Sequence, residues 1–180
     1  LTTAFLIFIL LTLNYLKFKN YNYSISGKKL PLNLPLVFIF LILLQISVGA
    51  LVSGLDAGKI YQTWPLMNQN YFPDDSLIGD LITLKSFETP SLVQFMHRNI
   101  AYFIVFILLI MGTLVIKNNN FIHLRKAILF VCVALLLQIF LGILTVLSGA
   151  QIILASMHQI GSIFLITSSL ILVFKNSRIN

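Results

Sequence analysis

Three histidines, His97, His123 and His158, are the side chains of this sequence best suited to holding a metal or carrying a proton. Two of them stand inside runs that are otherwise hydrocarbon. "FMHRNIAYFIVFI", from Phe95, sets His97 and Arg98 at the mouth of one run, and "ASMHQIGSIFLI", from Ala155, sets His158 near the mouth of another. Ionisable side chains at membrane depth are costly and mark function by default. Counted from a cap at Thr89, His97 lies about 12 Å into its helix, and His158 lies about 10 to 15 Å into its own, at 1.5 Å per residue. Both helices enter from the same face, so the imidazoles share a level. Two histidines at one depth on different helices are the arrangement a haem needs, one imidazole on each axial position of the iron. A hydrogen bond between helices, or a place in a proton path, remains open for each. Zinc fits less well, because Cys132 lies toward the opposite end of its helix and no carboxylate stands in any apolar run. His123 falls in a loop on the opposite side and is not expected to join the pair.

Neighbouring residues divide by helical direction. Met96 and Met157 adjoin the histidines, but consecutive helical residues point about 100° apart, so they are expected to pack rather than ligate. Arg98 points toward the boundary, where a guanidinium pairs with a haem propionate or snorkels to water. Gln45 and Gln138 are expected to hydrogen-bond between helices, with contact to a histidine as the lesser alternative. Gly49 with Ser53, and Ala50 with Gly54, are small residues four apart that let helices approach. Cys132, the only cysteine, has no disulfide partner in the chain and reads as a small buried side chain.

The elements that position these residues follow from composition. With 58% hydrophobic and only 9% charged residues, and a mean hydropathy of +0.97, the chain is too apolar for a water-facing domain. A hydrocarbon core of about 30 Å takes roughly 20 helical residues, and four runs of that order cover 36–53, 97–116, 127–147 and 152–174, with a shorter one at 1–16. The expected architecture is all-α and polytopic: a four-helix transmembrane bundle over 35–174, with a long outer loop at 54–96. The end of another transmembrane helix at 1–16 and an inner-side basic loop at 17–34 precede it, and an inner-side tail at 175–180 follows. The opening at Leu1, inside an apolar run with no basic n-region, reads as a helix whose beginning lies upstream rather than as a signal peptide.

Charge fixes the orientation. Lysines and arginines fill the segments after the first, third and last runs, while all five acids, Asp56, Asp74, Asp75, Asp80 and Glu88, lie between the second and third. The positive-inside rule places the basic segments on the cytoplasmic or matrix side. The net charge of +7 therefore belongs to topology and calls for no nucleic acid. Pro31 and Pro35 precede one run, Thr89-Pro90 offers a cap and a first-turn proline for the next, and Ser148 with Gln151 has capping-box spacing before the last. Leu77, Ile78, Leu81, Ile82 and Leu84 predict a short amphipathic helix on the outer membrane face, and Trp64, Tyr71 and Phe72 suit the interfacial aromatic belt.

An internal repeat runs through the chain. "LLQISVGALVSG" from Leu43 aligns with "LLQIFLGILTVLSG" from Leu136, and each is followed one helix later by Met-His. Two helix pairs, each with one intramembrane histidine, are the implied unit.

"GALVSGLDAGKIYQTWPLM" (Gly49 to Met67), "SLVQFMHRNIAY" and "GAQIILASMHQIGS" (Gly149 to Ser162) together resemble the C-terminal half of haem A synthase of the alphaproteobacterial and mitochondrial type. The resemblance implies an eight-helix enzyme of two related halves that oxidises a methyl group of haem O to the formyl group of haem A for cytochrome oxidase assembly. It implies haem b held by His97 and His158, catalytic residues in an N-terminal half beyond this chain, and little activity for this portion alone. Haem O as substrate, an unidentified electron donor, contact with haem O synthase, and a bacterial or mitochondrial inner membrane as location come with it. A b-type cytochrome that only transfers electrons, and a proton-coupled transporter, are the competing readings.

Overall fold

The computed structural model describes residues 1–19 and 27–178; the middle of the expected basic loop, 20–26, lies outside the described residues. Among those described, five helices are long and apolar enough to cross a membrane. Helix α1 spans Thr2–Lys19, α2 Leu34–Gly54, the single-turn α3 Lys85–Glu88, α4 Pro90–Lys117, α5 Arg125–Leu147 and α6 Ile152–Ser177. The chain is an all-α polytopic membrane protein, as its hydropathy predicts. Each long helix is apolar nearly all round, the pattern of a segment buried in lipid and protein rather than one with a water-facing side.

Helices α2, α4, α5 and α6 close a ring in which each packs on the next, while α1 lies outside against α6 and α2. Phe38, Ile42, Ile104, Met111, Val131 and Ile166, all at most 2% exposed, fill the half of the ring near the basic end. That leaves the polar intramembrane side chains to the opposite half.

The ends are set by specific chemistry. Thr89 caps α4 with Pro90 at the first helical position, but its side chain makes no cap hydrogen bond, so the proline and the extended backbone of Thr89 start the helix. Asn118 ends it, accepting the Asn120 amide at 2.9 Å and turning the chain into a 3₁₀ segment, Asn119–Leu124. Between α5 and α6 the Ala150 amide bonds Thr145 O at 2.8 Å and the Gly149 amide bonds Val146 O at 3.1 Å, a Schellman turn with Gly149 at φ +67°. The Ser148–Gln151 pair is therefore not a capping box. Ser148 ends α5 and accepts the Gln151 amide at 3.3 Å, and Gln151 itself stands at the start of α6 without a side-chain cap.

The outer segment also departs from expectation. In place of one amphipathic helix there is a 3₁₀ segment, Ile78–Ile82, then α3, separated by Thr83 in extended conformation. Asp80 accepts the Leu77 amide at 3.2 Å and pairs with Lys85 at 3.3 Å, which favours the tight turn over a continued helix. That amide first, and Lys85 second, hold the Asp80 carboxyl below its ordinary range. Leu77, Ile78, Ile82 and Leu84 remain 74 to 92% exposed.

Candidate functional site

Gln45 and Gly49 lie one helical turn apart on α2, facing α4; Gln138 and Gly142 repeat that spacing on α5, facing α6. The Gln45 side-chain amide donates to His97 O at 3.0 Å and lies 3.1 Å from His97 Nε2. Gln138 does the same to His158, at 2.8 Å to the carbonyl and 3.5 Å to Nε2. With one amide hydrogen committed to the backbone, the other meets the ring, so Nε2 accepts and the proton rests on Nδ1. Both expectations for these glutamines are met at once: each bonds across to the neighbouring helix, and its partner there is the histidine.

The glycines complete each socket. A Cβ built on Gly49 falls 3.0 Å from His97 Cε1, and one on Gly142 falls 3.0 Å from His158 Cε1. Gly49 is thus a seat for an imidazole rather than a helix-crossing contact, while Gly54 faces open space. The sequence signal was the shared "LLQI" register, which places glutamine and glycine identically before each Met-His. In both rings Nδ1 is buried without a partner, as are Gln45 Oε1 and Gln138 Oε1. Among the described residues no three His, Cys, Asp or Glu side chains come together. A donor set of two neutral imidazoles suits a haem, whose macrocycle already supplies four nitrogens, and does not suit a zinc site. The paired sockets therefore fit the group, with the unprotonated Nε2 of each ring as the nitrogen able to ligate.

Arg98, one residue on, faces the outer loop. It is 8% exposed, and its guanidinium donates to Tyr61 O at 3.1 Å and Leu66 O at 3.2 Å. It does not snorkel to water. Nε has no partner, and no carboxylate pairs with this guanidinium among the described residues. Gln94, one turn earlier and missed by the sequence reading, donates to the same Tyr61 carbonyl at 3.0 Å. Tyr61 hydrogen-bonds Asp74. Burial first and Asp74 second push the Tyr61 hydroxyl up to about 12.

The loop also reaches the second helix pair. A Cβ on Gly58 would meet Ala150 Cβ at 3.0 Å, and one on Gly149 would meet the Gln62 amide at the same distance. Tyr71 hydrogen-bonds Asn99, and the rings of Tyr71 and Phe72 stand edge-on to Phe95 at 5.6 and 5.0 Å. These aromatics join the loop to α4 besides any interfacial role. Met157 is 49% exposed and Cys132 packs at the edge of the apolar core. His123 lies at the other end of the bundle, against Gly27, apart from the pair.

The family described as cytochrome oxidase assembly protein, COX15-CtaA, matches residues 1–170. A heme A synthase of Pelagibacter ubique is 47% identical over 134 residues, covering 74% of this chain and 39% of that protein. One from Bartonella henselae is 45% identical over 117 residues, 64% and 32% of the two chains, and one from Rickettsia bellii is 43% identical over 126, 69% and 36%. The chain thus spans roughly a third to two fifths of these relatives. No solved structure matches.

Proposed function

The chain belongs to the COX15-CtaA family of cytochrome oxidase assembly proteins, and from that premise we propose that it is the haem b-binding half of a haem A synthase. The observation that carries this reading is the duplicated socket: Gln45, Gly49 and His97 in one helix pair, Gln138, Gly142 and His158 in the other. His97 and His158 would hold the haem iron, each through the Nε2 lone pair that its glutamine amide now engages. A haem held by these two residues would supply one-electron transfer. The protein's part is to seat both rings against Gly49 and Gly142 and to exclude water with the outer loop. Arg98, buried without a counter-charge and with Nε unpaired, is suited to a propionate.

In the whole enzyme this half would serve oxidation of haem O to haem A, with the catalytic residues in the other half and electrons from a donor yet to be identified. Contact with haem O synthase and residence in the bacterial or mitochondrial inner membrane belong to the same proposal. The test uses the full-length protein. His97→Ala and His158→Ala should each abolish the low-spin bis-imidazole spectrum of the reduced haem; a spectrum unchanged in both variants sinks the ligand assignment. Conversion of haem O to haem A then separates a synthase from a cytochrome that only relays electrons.

A further inference from the structure

At the basic end of the bundle, remote from the histidines, a crevice of about 200 Å³ opens between the start of α2 and the end of α6. Its lining has two characters. Lys29, Asn33, Asn176 and Ser177 form the polar end, and Pro35, Leu36 and Val173 form an apolar wall leading into the membrane-spanning part of the two helices. We propose that this crevice binds the phosphate of an anionic phospholipid of the inner leaflet, its first acyl carbons lying along the apolar wall.

The polar end is arranged to donate. Asn176 is 8% exposed, and its Oδ1 accepts the Leu30 amide at 2.8 Å, while its Nδ2 hydrogens have no partner among the described residues. Among the described residues, the exposed Asn33 side chain makes no hydrogen bond and the exposed Lys29 no ion pair. Ser177 gives its hydroxyl hydrogen to Phe174 O at 2.8 Å and so contributes shape rather than a donor. No Asp or Glu in the sequence lies outside the segment between α2 and α4, so the crevice has no internal counter-charge. The first turn of α2, which opens here, adds the positive end of its dipole. Basic pockets between transmembrane helices on the inner side suit lipid phosphates, and the apolar wall selects a lipid over free phosphate.

The test is native mass spectrometry of the detergent-purified full-length protein, titrated with phosphatidylglycerol or with phosphatidylcholine of the same acyl chains. Phosphatidylglycerol should bind in preference. Lys29→Gln should weaken it about five-fold, one lysine's share of attraction to an anionic surface. Asn176→Asp keeps an acceptor for the Leu30 amide but sets a negative charge in the crevice, and should weaken it further. Lys126→Gln, at the same end but outside the crevice, should leave binding unchanged. Equal binding of the two lipids, an equal loss in Lys126→Gln, or displacement by an equimolar amount of inorganic phosphate overturns the proposal. Should Asn176→Asp fail to fold, Lys29→Gln against Lys126→Gln still decides it.

Discussion

An alanine at position 49 would set a methyl group 3.0 Å from His97 Cε1, and one at 142 would do the same to His158. Alanine is the better helix former by up to about 1 kcal/mol, so the two effects oppose each other. Gly49→Ala and Gly142→Ala should leave the thermal stability of the haem-free protein equal or slightly raised while haem retention falls several-fold, read from the ratio of haem to protein absorbance. Full haem content in both variants would remove the glycines from the site. The histidines were legible because an ionisable group in an apolar run contrasts with everything around it. The glycines were not, since glycine is common in membrane helices and its role here is defined by a ring on another helix. Tyr61 belongs to the same scale. Its hydroxyl is held protonated up to about 12 against 10.0 for free tyrosine. A raised folded pKa means that its contribution to loop docking is whole below about pH 10 and disappears as pH climbs through about 12. Of the six tyrosines, Tyr61 should therefore be a late one to ionise in the ultraviolet difference spectrum, and Tyr61→Phe should delete that late step. A late step that persists in Tyr61→Phe would count against the assignment.

Helix α4 serves two elements at once because His97 and Arg98 diverge by about 100°: one faces the glutamine of α2, the other the carbonyls of the outer loop. Arg98→Lys keeps the charge but loses the fork that reaches Tyr61 O and Leu66 O together. Hydrogen bonds from a charged donor contribute about 1.5 to 3 kcal/mol each, so losing one should speed hydrogen exchange at 61–67 by about ten-fold or more, with exchange in the inner half of α4 unchanged. Protection equal to the parent would mean that Gln94 alone holds the loop. At this scale the long helices could be read from hydropathy, with their ends misplaced by a few residues. The outer segment was misread because spacing cannot tell a helix from two short turns. Asp80 and Thr83 decided that question through local hydrogen bonds and an extended backbone. Ser148 and Gln151 failed for a related reason: a capping-box spacing marks a helix start only where the serine is outside the preceding helix, and Ser148 closes α5.

Across the whole molecule, function and charge divide between two ends. The histidine sockets and the loop that joins both helix pairs through Gly58, Gln62 and Ala150 share one end, with all five acids. That bridging was illegible in the sequence, because its contacts link residues about ninety positions apart. The other end gathers most of the basic residues and is tied by Lys28 to Asn120, Leu30 to Asn176, and Arg125 to the carbonyls of Val115 and Ile116. These contacts bring the segments after α1, α4 and α6 to one side, so a single experiment tests the orientation of all of them. In a Cys132→Ser background, which removes the only native thiol, Ser177→Cys should resist a membrane-impermeant maleimide in intact cells and react after the membrane is opened. Asp75→Cys should react in intact cells, because the positive-inside rule sets the acidic loop on the opposite side from the basic segments. The reverse pattern would put the histidine pair in the inner leaflet, and with it the side of the membrane on which a propionate of the proposed haem meets water.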